Sequence, residues 1–251
     1  MQIEHEKTNK CSLCNGSGWI IKEQEDGSSI AGRCSCYLIR RKVTLQKEGN
    51  IPKRYIHCTL ENFKTHPTNS SLNPTKAQLT PAMAKEVIQE FINGYTPKNR
   101  GLLLMGNCGV GKTHLAVALI LALMKTKGVS CLFYDFRDLL NEIKASYKSN
   151  AKTLESNILR PVLEKEVVVL DELGAEKITE WTRDTLNFII NKRYNDNKTT
   201  IITSNWLDET EEEEETLKDR IGYRLRSRLY EMCRVIEIVG QDYRMRDCNM
   251  Y

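Results

Sequence analysis

Eight consecutive residues, Gly106-Asn107-Cys108-Gly109-Val110-Gly111-Lys112-Thr113, carry the densest chemistry in the chain. They match the spacing G-x-x-x-x-G-K-[ST], in which glycines let a loop curl until its backbone N–H groups point at phosphate oxygens. Lys112 would reach the β- and γ-phosphates of ATP, and the Thr113 hydroxyl would bind Mg2+. A helix opening at Lys112 adds its positive dipole end. A chance Gly-rich turn would need no particular surroundings. This one follows an apolar run, Leu102 to Met105, and opens a helical pattern, as phosphate binding requires.

A phosphate loop needs an acidic partner for the metal. Val167-Val168-Val169-Leu170 supplies one by ending in Asp171-Glu172. Asp171 would hold Mg2+, directly or through water, and Glu172 would orient or deprotonate an attacking water. Such a pair argues for hydrolysis rather than phosphoryl transfer to a small acceptor, which would call for an acceptor pocket and an Arg-rich lid. The next apolar run ends in Thr203-Ser204-Asn205. In a parallel sheet its end falls on the same edge, where Asn205 could hydrogen-bond both the γ-phosphate and the water. Farther on, Arg220, Arg224, Arg226 and Arg228 recur in one helical stretch. They are either a solvated basic face or the source of an arginine finger that reaches a neighbour's nucleotide.

A second constellation lies near the N-terminus. Cys11-x-x-Cys14 and Cys34-x-Cys36 offer four thiolates in two close pairs, the arrangement that tetrahedral Zn2+ takes, with Gly16 and Gly18 to allow the turn. The second pair is tighter than the usual two-residue gap, and His5 or His57 could replace one ligand. The alternative is four free thiols in a tail. Metal would explain how so apolar-poor a segment folds. Nine cysteines in all, read in a reducing compartment, are not a disulfide framework. Most of the scattered ones (Cys58, Cys108, Cys131, Cys233, Cys248) read as small buried or half-buried residues.

These groups need a scaffold. Apolar runs at 101–105, 130–134, 166–170, 199–203 and 234–239 alternate with helical segments at about 112–127, 137–149, 153–164, 180–196 and 217–232. That texture predicts an α/β fold with a mainly parallel sheet covered on both faces. Before it come a basic helix from Tyr37 to about Glu48, a polar loop at 65–75, and a helix from Pro81 to about Asn93 with Met83, Val87 and Phe91 on one face. The expected division is 1–48 zinc-binding module, 49–98 linker and first part of the ATPase domain, 99–251 ATPase core. With 251 residues, 40% hydrophobic and 28% charged, a sizeable core forms without metal. The net charge of +4 permits nucleic acid without arguing for it. No run approaches the roughly 20 apolar residues of a membrane span, and the polar N-terminus has no secretory core, so the expected location is the cytoplasm.

Taken together, these residues resemble the AAA+ ATPases of the DnaC/DnaI/IstB group, helicase loaders and their transposition relatives. The resemblance runs over about 50–245. Its carriers are Ile51-Pro52-x-Arg54-Tyr55, Thr59-Leu60-Glu61-Asn62-Phe63, the phosphate loop continuing as Thr113-His114-Leu115-Ala116, Leu170-Asp171-Glu172-Leu173-Gly174, Thr203-Ser204-Asn205, and Arg224 with Arg228. It implies that Asn205 is sensor 1, that Arg228 (or Arg224) is a finger acting in trans within a ring or spiral, and that 51–63 packs near the adenine. It places a helix for single-stranded DNA at about 137–150, with Lys144 on a phosphate and Tyr147 as a stacking ring, or else as an ordinary lysine and tyrosine. Only about a dozen residues follow the last strand, too few for a full C-terminal helical lid, with Arg244 as a substitute for its sensor 2. The acidic run 211–215 reads as a solvated helix start. The zinc module resembles those of loaders that grip the hexameric replicative helicase, and Arg40-Arg41-Lys42 behind it is an exposed helix face or a DNA contact. The implied function is ATP-dependent loading of that helicase onto single-stranded DNA. A transposition helper ATPase, or a zinc-dependent adaptor with little turnover, are the other readings.

Overall fold

In the computed structural model the described residues are 11–24, 28–65, 78–148, 152–175, 179–208 and 215–245. An N-terminal hairpin of β1 (Trp19–Glu23) and β2 (Ser29–Arg33) leads into helix α1 (Ser35–Glu48). Then follow β3 (Gln78–Leu79), α2 (Pro81–Asn93), β4 (Gly101–Gly106) and α3 (Lys112–Lys127). Next come β5 (Cys131–Asp135), α4 (Phe136–Lys148), α5 (Lys152–Glu164) and β6 (Val167–Asp171). The chain continues through α6 (Glu180–Asn195), β7 (Thr199–Ser204), α7 (Leu217–Ile221), α8 (Tyr223–Met232) and β8 (Cys233–Ile238).

The apolar runs form a six-stranded sheet in the order β3-β8-β4-β7-β6-β5, and every pairing in it is parallel. Strands β4, β6 and β7 are buried along their whole length, which is why they lack polar alternation. Alternate residues feed two cores. Leu102, Leu104, Val167, Val169 and Ile201 meet α2 and α3 on one face, while Leu103, Met105, Val168, Leu170 and Ile202 meet the helices from α4 onward on the other. Helix α3 is apolar almost all round because it runs through the first of these cores. No helix among the described residues is long and apolar enough to cross a membrane.

Three details differ from the sequence reading. In α2 the buried stripe is Ala84, Ile88 and Ile92, with Val87 and Phe91 on its flank and Met83 exposed. The segment expected as one helix over 217–232 is two, because Gly222 (φ 85°, ψ 153°) takes a conformation closed to residues with a side chain. The pair β1–β2 was not legible at all: Ile21 and Ile30 face solvent, so no alternation marks it. The end of α1 already belongs to the larger core, where Leu45 is buried. Just beyond it, Gly49 O accepts the Phe133 N–H at 2.8 Å and Asn50 Nδ2 donates to Phe133 O at 3.1 Å, covering the free edge of β5.

One buried charge ties the base of the sheet together. Arg193 of α6 is fully buried and donates to Thr200 Oγ1 (2.9 Å), Val162 O (2.8 Å), Lys165 O (3.0 Å) and Thr199 O (2.6 Å). Replacing it removes the donor from three carbonyls and one threonine hydroxyl. Arg193→Ala is expected to lower stability by about 3 kcal/mol or more in chemical denaturation; a loss under about 1 kcal/mol would mean the carbonyls find other donors.

Candidate functional site

The carboxyl ends of the strands converge because the register is fixed. Asp135 of β5 stands opposite Asp171 of β6, Met105 of β4 opposite Ser204 of β7, and Gly106 opposite Ile238 of β8. The loop 106–113 therefore leaves the sheet beside the acidic pair. At its far end Gly111 (φ 94°) precedes α3, and a Cβ there would lie 2.4 Å from Phe63. At Gly109 (φ 77°) a Cβ would lie 1.7 Å from Asp242 Oδ1. Glycine is thus required by close approach of other elements as well as by the turn itself.

Lys112 is 7% exposed, and its Nζ donates to Gly106 O and Asn107 O, both at 2.7 Å. Burial lowers its pKa to about 8. Thr113 Oγ1 donates to Asp171 at 3.0 Å (Oδ1) and 3.1 Å (Oδ2), and Thr203 Oγ1 donates to Asp171 Oδ1 at 2.6 Å. Burial raises Asp171 to about 6, against the pull of those two hydroxyls. The same Thr203 oxygen accepts the Glu172 N–H at 2.9 Å, and Glu172 holds φ 57°, an uncommon conformation for a residue with a side chain. Hydroxyl and carboxylate at Thr113 and Asp171 are hard oxygen donors suited to Mg2+ beside a phosphate.

A cleft of about 420 Å³ opens over this floor. Its walls include Cys108, Gly109, Val110, Gly111, Lys112, Thr113, His114, Glu172 and Asn205. Tyr55, Cys58 and Phe63 give the cleft an apolar side, with Arg54 beside them, so part of the stretch 51–63 lines it. It is pinned there by His114, whose Nε2 donates to Thr59 O at 2.9 Å; a carbonyl only accepts, which fixes the tautomer. The segment after β8 supplies a third wall through Gln241, Tyr243 and Arg244, with Tyr243 N donating to Gly109 O at 3.2 Å. Among the described residues no α-helix follows β8. Cys58, Cys131 and Cys233 are buried as expected, but Cys108 is exposed, since the loop turns its side chain into the cleft.

The arginines separate clearly. Arg220 stacks on Trp206 at 3.9 Å and pairs with Glu215, and Arg226 grips Asp208 through Nε (2.9 Å) and Nη2. Arg224 is exposed and Arg228 half-buried; neither lines the cleft, and among the described residues neither makes an ion pair. Lys144 lies 4.9 Å from the Trp181 ring centroid. The side chain of Tyr147, and residues 211–214 and Cys248, lie outside the described residues. Two participants escaped the sequence reading. Thr203 stood in the strand-end motif, but only Asn205 was given a role there, and Arg137 pairs with Glu172 (Nη2–Oε2 2.8 Å) across 35 positions that no local motif spans.

At the other end of the chain Cys11, Cys14, Cys34 and Cys36 bring four sulfurs within 4.8 Å of one another. The pairs Cys11–Cys34 and Cys14–Cys36 are 3.7 Å and 3.3 Å apart, as free thiols. Tetrahedral bonds of about 2.3 Å to Zn2+ would space sulfurs about 3.8 Å apart, so the set fits that ion. Gly18 N–H donates to Cys14 Sγ at 3.3 Å, and the Leu13 N–H, followed by lesser donors, holds Cys11 below its usual value. His57 is not in the cluster, and His5 lies outside the described residues.

A parallel sheet in this order, with a phosphate loop after β4 and acids after β6, defines a P-loop ATPase of the AAA+ fold. The chain belongs to the family of IstB-like ATP binding proteins, which matches residues 53–250. Among its relatives, the replicative helicase loader DnaI of Bacillus subtilis is 28% identical over 214 residues, covering 80% of this chain and 66% of that one. The ATP-binding protein named for insertion sequence IS232 of Bacillus thuringiensis is 29% identical over 177 residues, covering 68% and 66%. The crystal structure of a DnaC helicase loader superposes with a TM-score of 0.61 at 34% identity, covering 75% of this chain and all (100%) of that one.

The raised Asp171 has a direct consequence. Its folded-state pKa of about 6 lies above the ordinary carboxylate value of 3.8, so between about 4 and 6 the native site takes up a proton. Without ligand this group stabilises the fold at low pH, and that contribution is lost as pH rises through about 6. Metal binding needs the ionised form and runs the other way. Affinity for Mg2+-nucleotide is expected to fall as pH drops through about 6, and Asp171→Asn to abolish that dependence, in titration calorimetry. A flat profile for the unaltered protein would remove Asp171 from the metal site.

Proposed function

We propose that the protein is an ATP-driven loader that delivers a hexameric replicative helicase onto single-stranded DNA during the initiation of replication, in the cytoplasm. The observation that carries this reading is the coexistence of a four-thiol cluster with a hydrolytic-type nucleotide site in one chain. Relatives named as loaders support it. A relative from an insertion sequence supports the competing reading, a transposition helper.

In this reading Lys112 leaves its loop carbonyls for the β- and γ-phosphates, and the N–H groups of 108–113 wrap the rest. Bound Mg2+, held by Thr113 and Asp171, would neutralise charge developing on the phosphates. Glu172 takes a proton from water as the water's oxygen bonds to the γ-phosphorus and ADP departs; Asn205 orients that water. Arg244 reaches the phosphates from the segment after β8. Arg228, with Arg224 the other candidate, acts on the nucleotide of an adjacent copy, which implies a ring or spiral. Lys144 and Tyr147 would meet DNA, although the packing of Lys144 on Trp181 also serves as ordinary surface structure.

The thiols would hold Zn2+, which supplies the cross-links of a module with little core of its own. That module exposes Leu13, Trp19, Ile21, Ile39 and Val43, an apolar surface suited to gripping the helicase. Freshly purified protein is expected to contain about one zinc per chain by elemental analysis; none would end the metal assignment. Gel filtration with the cognate replicative helicase is expected to give co-elution that depends on ATP. Absence of binding, with filaments that lengthen with double-stranded DNA, would favour the transposition reading. Binding without measurable ATP turnover would favour an adaptor.

A further inference from the structure

We propose that Arg137 is a positioning residue of the hydrolytic site, holding the Glu172 carboxylate at the mouth of the nucleotide cleft. The proposal rests on the reading of Glu172 as the base. Strand register creates the encounter. Asp135 and Asp171 are paired across β5 and β6, so the residues just beyond them, Arg137 and Glu172, emerge side by side. Asp135 then fixes the backbone of its own neighbour: its Oδ1 accepts the N–H of Arg137 at 2.8 Å and of Asp138 at 3.4 Å, capping α4. Arg137 Nη2 meets Glu172 Oε2 at 2.8 Å.

Two physical facts argue against an incidental surface pair. A cation in the first turn of a helix is disfavoured by the dipole, so arginine is a poor choice at this position unless an anion outside the helix is its purpose. The side chains are 47% and 34% exposed, and pairs so open to water add little to stability. What the pair does restrict is geometry. The Glu172 backbone is anchored by its N–H on Thr203 and held in a left-handed conformation, but the side chain beyond it has three rotatable bonds. Arg137 fixes the far end. Glu172 lines the cleft while Arg137 does not, so the arginine acts through the carboxylate and leaves Oε1 free for water.

The test is steady-state ATP hydrolysis by the full chain. Arg137→Ala is expected to lower kcat by about tenfold to a hundredfold, as for a misplaced catalytic group, with the KM for ATP and the melting temperature little changed. Arg137→Lys is expected to restore most of the rate, since an ammonium can hold the same oxygen. Combined with Glu172→Gln, Arg137→Ala is expected to cost nothing further. Unchanged or faster turnover in Arg137→Ala, a raised KM, or additivity in the double variant would overturn the proposal. If Glu172→Gln alone hydrolyses ATP like the parent, the reading of Glu172 falls and takes this proposal with it; that failure is visible in the single variant, separately from Arg137→Ala.

Discussion

A carboxylate buried at the end of a central strand is the constraint around which the rest of the site is arranged. Asp171 is only 5% exposed, and among the described residues its hydrogen-bond partners are neutral hydroxyls and no ion pair reaches it. Two threonine hydroxyls do what neutral groups can, and its pKa still stands at about 6. Lys112 has the mirror-image problem: a buried ammonium resting on two carbonyls, with its pKa drawn down to about 8. Each group is displaced toward its neutral form by loss of water. A phosphate-bound divalent cation offers each what it lacks, an anion for the lysine and a cation for the aspartate.

The same constraint explains several residue choices at once. Thr203 is a threonine because one oxygen must donate to Asp171 and also accept the Glu172 N–H. Phe63 and Asp242 crowd the loop from opposite ends, so Gly111 and Gly109 cannot carry side chains. His114, the third residue of α3, ties the segment around Thr59 to that helix. At the sheet edge, the helix leaving the cysteine cluster ends on Phe133, two residues before Asp135, on the strand that delivers Arg137. The helix that follows the cysteine cluster is thus joined at its end to the strand that leads to Arg137.

Much of this was legible in the sequence, for a physical reason. Strands buried on both faces must be short, continuous and apolar, and loops that bind phosphate must be glycine-rich at fixed spacing. Val167 to Glu172 and Gly101 to Thr113 satisfy both rules, so strand, loop and acid pair could be read together. What escaped depends on tertiary partners. Strand β3 is two residues long and exists because β8 pairs with it. The β1–β2 hairpin buries almost none of its side chains, so cysteine spacing announced the cluster while nothing announced the strands. In α2 the flanking Val87 and Phe91 are larger than Ala84 and drew the expected face one position away from the real one. The break at Gly222 was visible as a glycine, but the amphipathic pattern on either side outweighed it.

The most direct measurement is a crystal structure with Mg2+ and a non-hydrolysable ATP analogue. The phosphates are expected within 106–113, with Lys112 Nζ moved from Gly106 O and Asn107 O onto them, and the metal on Thr113 in place of its hydrogen bond to Asp171. An analogue bound with Lys112 still on its carbonyls and Thr113 still on Asp171, or seated away from this cleft, would contradict the assignment of the site.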